Sequence, residues 1–299
     1  MIDQHKSNRR HLRESITISI VVFAVVFIAA PGLFAESAHT DDVGVTLLHH
    51  IMDGHTWQPV PGLKPIQLHD IHWANITIPI TQYVVMLWII AGVLTMVFAG
   101  AFYKVRLIPS KLASLLEPLV FFVRDTLVYP AMGEEMGKKW LFFFNTLFFF
   151  ILGANFLGMI PPFKTITGNL SVTIALAVMI FFAIIITGVR KLGVIGFFTA
   201  MVPEGVPLPI AVFLLMIEIP NLFIRSGVLA IRLFANMIAG HLVIASLLLL
   251  IVLIHPVVMT VSIPMALFIS LLEVLVAIIQ AVVFTMLSAV FIRMASAHH

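Results

Sequence analysis

Residues 219–254 read IPNLFIRSGVLAIRLFANMIAGHLVIASLLLLIVLI. The stretch is apolar enough to lie in a bilayer, yet it carries Arg232, and a guanidinium is a permanent cation in proteins. At membrane depth that charge costs several kcal/mol or more unless water, a partner or a carboxylate meets it. Arg232 is therefore the first candidate functional residue of this chain.

The rest of the composition agrees with a lipid setting. Of 299 residues 61% are hydrophobic and 10% charged, against roughly 25% charged in a soluble domain. Apolar runs near 16–30, 78–102, 140–160, 170–187, 207–224, 242–254 and 257–292 approach or exceed the roughly 20 residues that cross about 30 Å of hydrocarbon, except for the short run before His255. They read as helices, because the ten-residue alternations of a membrane barrel are absent. With no cysteine there is no disulfide, thiolate nucleophile or cysteine-held metal. The formal charge of +3 is scattered near helix ends, which implies no nucleic acid. No G-x-x-x-x-G-K-[ST] loop occurs, so the chain is not expected to bind nucleotide itself, and no cofactor is assigned to it.

Lys6, Arg9, Arg10 and Arg13 precede SITISIVVFAVVFIAAPGLFAESA, the basic, apolar and small-residue zones of a signal. Residues 1–37 are expected to be a signal peptide, cleaved after Ala35 or Ser37, or a retained signal-anchor helix. Both place the beginning in the cytoplasm and an external polar arm over 38–77 outside. The arm carries His39, His49, His50, His55, His69 and His72. It reads as a polar approach to the first helix rather than a metal site, since no tight ligand spacing or carboxylate set accompanies the histidines.

The membrane domain is expected over 78–299. A helix over 81–103 crosses inward and is followed by Lys104, Arg106 and Lys111, as the positive-inside rule requires. Residues 110–126 mix Leu115, Leu116, Leu119, Phe122 and Val123 with Lys111, Glu117, Arg124 and Asp125, which suggests an amphipathic helix on the cytoplasmic surface. Helices over 140–160 and 169–189 form a transmembrane hairpin, turned at Pro161-Pro162 and ending at Arg190 and Lys191. Helices over 207–254 and 257–293 follow, with their uninterrupted stretches about 70 Å and 45 Å long at about 1.5 Å per residue. A perpendicular span needs only about 30 Å, so both are expected to be strongly tilted, bent or partly interfacial, with His255-Pro256 between them. Hydropathy alone would split the first of them. Parity opposes the split, because one outward and one inward helix returns Arg293 and the C-terminus to the cytoplasm. The fold class is thus an all-α polytopic membrane protein.

Residues seven apart on a helix differ by about 20° around its axis. Glu218, Arg225 and Arg232 fall at that interval, flanked by Asn221 and Asn236, while His241 turns to roughly the opposite side. On the last helix Glu273 and Gln280 share a face. Setting that face against the Arg232 helix gives Arg232 a polar neighbour and brings His241 within reach of a carboxylate. Arg225 reads as either a counter-ion for Glu218 or part of the path, and the asparagines as interhelical hydrogen-bonding groups or path residues. His241 and Glu273 form either a buried pair or a proton relay, since both titrate where arginine cannot. Gln280 reads as an orienting partner of Arg232. Ala235, Ala239 and Gly240 beside the arginine permit close approach of another helix. A permanent cation cannot carry a proton, but it compels a nearby carboxylic acid to release one and blocks a short circuit between two aqueous paths. The acid on a moving partner is not in this chain.

The run IRLFANMIAGH, with a glutamate fourteen residues before its arginine and ISLLEVLVAIIQAVVFTMLSAVFI after it, closely resembles subunit a of the F-type ATP synthase. FFNTLFFFILGANFLGMIPPF and TGNLSVTIALA support the resemblance, which covers about 78–294. It implies a stationary subunit standing against a rotating ring of c subunits, with ions passing through two offset half-channels. It also implies the peripheral stalk of subunit b and the remaining synthase subunits as partners, in a bacterial inner membrane. The family's essential arginine matches Arg232, its conserved asparagine Asn236, its channel glutamate Glu218 and its last-helix glutamine Gln280. Some members carry an acid where His241 stands and a histidine where Glu273 stands; the exchanged pair found here keeps one acid and one base, which supports contact between them. Arg225 is an additional cation assigned to support, with Asn221 beside it. The ion is expected to be a proton; sodium stays open as the alternative, because the ion-binding carboxylate and its ligands belong mostly to the ring. Two competing readings are a secondary transporter that binds an anionic solute at Arg232 and a membrane assembly protein whose ion pairs serve packing alone. The first expects inverted repeats or broken helices with a midplane pocket, which are not evident beyond Pro220 and Pro264.

Overall fold

The structure is a computed structural model that describes residues 81–102, 111–160, 165–202, 206–253 and 259–296, with backbone alone for four short strands before them. The expected signal or anchor helix over 1–37 lies outside the described residues, as do most of the external arm and the turns at Pro161-Pro162 and His255-Pro256. Within the arm, β1 (Thr56–Trp57) pairs antiparallel with β2 (Ile66–Gln67), and β3 (Ile71–Trp73) with β4 (Ile76–Ile78). Of the arm's histidines only His72 falls in a described strand, opposite Thr77.

From there on the described chain is helical. Among the described residues five helices are long and apolar enough to cross a membrane, so this is a multi-span helical membrane protein. Helix α1 is Gln82–Phe102. Helix α2, Lys111–Phe122, buries Ala113 and Leu116 and leaves Leu112, Leu115 and Phe121 exposed. It runs into a π-helical stretch, Val123–Val128, and the short α3, Tyr129–Met132. In the π stretch Arg124 grips Asp125 with two hydrogen bonds, Nε to Oδ1 at 2.7 Å and Nη2 to Oδ2 at 2.9 Å, and lies 4.5 Å over the Phe121 ring. Those charge-assisted bonds hold the Asp125 carboxyl below its usual range.

Gly133, at φ 80°, turns the chain from α3 into α4, Glu134–Gly158. This positive φ is a conformation that glycine adopts without a Cβ clash. The helix starts ahead of Trp140 because Glu134 and Glu135 occupy its first turn, where carboxylates meet the positive helix end. Lys138 Nζ reaches Glu134 at 2.7 Å one turn on. The phenylalanine-rich middle of α4 lies in the core: Phe143, Phe144, Phe148, Phe149 and Phe150 are all buried. Phe149 meets Phe98 of α1 edge-on at 4.9 Å.

A 3-10 turn, Ile166–Gly168, leads to α5, Leu170–Thr199, whose start is capped by the Asn169 side chain accepting from the Ser171 amide at 2.8 Å. Beyond Arg190 and Lys191 the helix bends at Gly193 (φ 76°, ψ 170°) and adds a further turn. Phe197 of that turn folds back onto Gly188, where an added Cβ would run into the Phe197 ring and sit 3.0 Å from the Ala295 carbonyl oxygen. Gly188→Ala is therefore expected to cost about 1–3 kcal/mol by overpacking, measured as a lower Tm of the detergent-solubilised protein.

Helix α6, Leu208–Leu253, is continuous for 46 residues through Pro220, and α7, Met259–Ser296, for 38 residues through Pro264. At about 1.5 Å per residue they are about 69 Å and 57 Å long. Both exceed the roughly 30 Å of hydrocarbon, so the surplus must go into inclination, curvature or projection beyond it. Helices α6 and α7 pack on each other, α5 packs on both, α4 packs on α7, and α1 on α4. At the far end of α7, Arg293 Nη1 donates to the Ala131 carbonyl at 3.3 Å, fastening the last helix to α3.

Candidate functional site

The polar residues of α6 form separate groups along its length. Nearest its start, Arg225 Nη2 meets Glu218 Oε1 at 2.7 Å and Asn221 Nδ2 donates to Glu218 Oε2 at 3.1 Å. The seven-residue interval places Glu218 and Arg225 on one face, two turns apart, and their long side chains close the gap. Arg225 is thus neutralised within its own helix.

Arg232, two turns further, is not. It is half-buried, and it makes no hydrogen bond or ion pair with another described residue. Leu229, Ala230 and Leu233 beside it are buried, whereas Val228, Ile231, Ala235 and Ala239 are exposed. The guanidinium therefore sits at the border between the bundle and an open, apolar, small-residue face.

One turn on, Asn236 Nδ2 donates to Gln280 Oε1 of α7 at 3.1 Å. Gln280 thus engages Asn236 rather than Arg232. Its Nε2 is buried without a hydrogen-bond partner among the described residues, a donor left over for water or a partner.

His241 and Glu273 are brought together across α6 and α7, with Nε2 3.5 Å from Oε1. Glu273 is buried, and that oxygen has no hydrogen bond among the described residues. The approach depends on Gly240, where an added Cβ would lie 2.9 Å from Glu273 Oε1 and 3.1 Å from its carboxyl carbon. Gly240→Ala is expected to push the carboxylate off His241 and to cost about 1–3 kcal/mol by overpacking, measured as a lower Tm of the detergent-solubilised protein. The same His241 nitrogen is hydrogen-bonded to Thr165 Oγ1, from the turn before α5.

A family model described as ATP synthase A chain matches residues 84–293. The chain belongs to the ATP synthase A chain family. It is 36% identical over 280 residues to the ATP synthase subunit a of Anaeromyxobacter dehalogenans strain 2CP-C, covering 88% of this chain and 73% of that one. To the subunit a of Chloroherpeton thalassium it is 34% identical over 317 residues, covering 99% and 94%. To that of Myxococcus xanthus it is 44% identical over 226 residues, covering 74% of each.

Three polar groups of this family member escaped the sequence reading. Thr167 Oγ1 donates to Asn155 Oδ1 at 2.6 Å, and Asn155 Nδ2 donates to the Ala277 carbonyl at 3.5 Å, tying the turn before α5 to α4 and α7. Both side chains are fully buried. Asn155 carried a usable signal as an amide among phenylalanines in a membrane helix. Thr165 and Thr167 carried none, because threonine in a turn is unremarkable until its neighbours in space are known.

Proposed function

We propose that Arg232 is the fixed cation of the ion path in a rotary F-type ATP synthase, facing the carboxylates of a ring of c subunits across the exposed face of α6. As a member of its family the chain is the stationary, ion-translocating subunit of the membrane sector and binds no nucleotide itself. The observation that carries the assignment is the contrast between the two arginines: Arg225 is paired with Glu218, whereas Arg232 has no partner among the described residues and borders exposed Ile231 and Ala235.

An acid carried past Arg232 on a ring helix would be held in its ionised form, since an opposite charge a few ångströms away favours the carboxylate. It gives up its proton on one side of the arginine and takes one on the other. The arginine, unable to lose its own proton, keeps the two sides from short-circuiting. Glu218, with Asn221 and Arg225 around it, serves one access path, and Asn236, Gln280, His241 and Glu273 serve proton movement and hydration around the site. Tilting of α6 and α7 along the ring would bring this face to it. The subunit b stalk holds the chain still while protons drive the ring, in a bacterial inner membrane with the C-terminus on the cytoplasmic side. Replacing Arg232 by alanine and measuring ATP synthesis driven by a proton gradient in vesicles tests the assignment; normal synthesis would refute it.

A further inference from the structure

His241 has one nitrogen, Nε2, facing two oxygen partners. Glu273 approaches from α7 at 3.5 Å, and Thr165 is hydrogen-bonded to it from the turn before α5. Thr165 lies outside the long helix that supplies Glu273, yet it is buried and held from several directions. Its carbonyl accepts from the Gly168 amide at 3.1 Å. The next residue, Ile166, is buried, and Thr167 is bonded to Asn155. On the side of α4 the Thr165 side chain occupies the space a Cβ would take at Gly158, so the absence of a side chain there lets the turn come in. A hydroxyl placed so firmly against an imidazole nitrogen is more than a solvated turn residue.

We infer that Thr165 is a positioning residue for His241, holding its Nε2 toward Glu273 whether or not that nitrogen carries a proton. The role rests on the reading of His241 and Glu273 as part of the ion path. A hydroxyl both donates and accepts. With Nε2 bare, the Thr165 O–H donates to it. With Nε2 protonated, the hydroxyl rotates and its oxygen accepts from the N–H, so the ring keeps its orientation through a cycle of gaining and losing a proton. Neither an amide nor a carboxylate would serve as well in both states, because each requires a flip or a proton of its own. Glu273 is the titratable group that faces this nitrogen among the described residues. The charged residues described on α4 and α5 (Glu134, Glu135, Lys138, Lys139, Arg190 and Lys191) lie at the ends of those helices remote from the turn.

Thr165→Ser and Thr165→Ala differ by one oxygen, and both are smaller than threonine, so neither overpacks the turn. Passive proton conduction is measured in membrane vesicles that hold the assembled complex with its catalytic head stripped off, and expressed per amount of assembled chain. The serine variant should stay within about twofold of the parent and the alanine variant should fall about five- to tenfold. Thr165→Val fills the void that alanine leaves and should conduct as poorly. Equal conduction by the serine and alanine variants, both high or both low, overturns the inference, as does a valine variant that conducts normally. Arg232→Ala in matched membranes that keep the catalytic head, assayed for gradient-driven ATP synthesis, separates the two ideas. If it makes ATP normally, the ion-path reading itself has failed. If it makes none while serine and alanine at 165 behave alike, only the role of Thr165 has failed.

Discussion

Arg232→Ala should abolish gradient-driven ATP synthesis while the chain still inserts and assembles. Two unit charges about 4 Å apart attract by about 4 kcal/mol at the effective dielectric of a protein surface region, and losing that much costs about three decades in rate or equilibrium. Membrane insertion should not suffer, because removing an unpaired charge from an apolar helix lowers the cost of burying it. Arg232→Lys should also fail, by at least about tenfold. An ammonium is compact and strongly hydrated, and it surrenders its proton when desolvated, so it would leak protons where a guanidinium holds them back. Arg225→Ala provides the contrast. It strips Glu218 of its counter-ion but leaves Arg232 untouched, so ATP synthesis should fall less than with Arg232→Ala. The comparison is made on vesicles with matched amounts of the chain; an Arg225 defect as deep as that of Arg232 would contradict the separation of roles.

Glu273→Gln should lower proton conduction about tenfold or more, since it keeps the size of the side chain and removes the only titratable neighbour that His241 has among the described residues. Assembly should hold, because Glu273 Oε1 makes no hydrogen bond among the described residues that an amide would break. The exchange His241→Glu with Glu273→His restores one acid and one base to the same crossing of α6 and α7, and should conduct better than either single change. Interacting residues show such non-additivity, and independent ones do not. A double variant no better than the worse single one would mean that the pair acts apart.

The helices were far more legible in the sequence than the contacts between them. Continuous apolar pattern from 208 onward exposed α6 as a long helix, because nothing after Pro220 interrupts its hydrogen bonding. The Glu218–Arg225 pair follows from helical periodicity alone, since both partners ride one rigid rod. Asn236–Gln280 and His241–Glu273 depend on how two rods are rotated and slid against each other, which periodicity narrows to a face but not to a partner. Hence the sequence sets Gln280 against Arg232, whereas Gln280 bonds Asn236. The early start of α4 was hidden by Glu134 and Lys138, charged residues that resemble a loop until their one-turn spacing is noticed. Thr165 was out of reach for a different reason: its contact spans 76 residues and is set by a glycine on a third helix.

The unbroken length of α6 has a mechanical consequence. A stator that turns a wheel receives an equal recoil, and if Arg232 meets the ring that recoil would be delivered close to the midpoint of the beam. Were the chain hinged near that point, each passing tooth would flex it and dissipate work as bending. A single stiff rod braced by α5 and α7 would spread such a load over many contacts and return it as rotation.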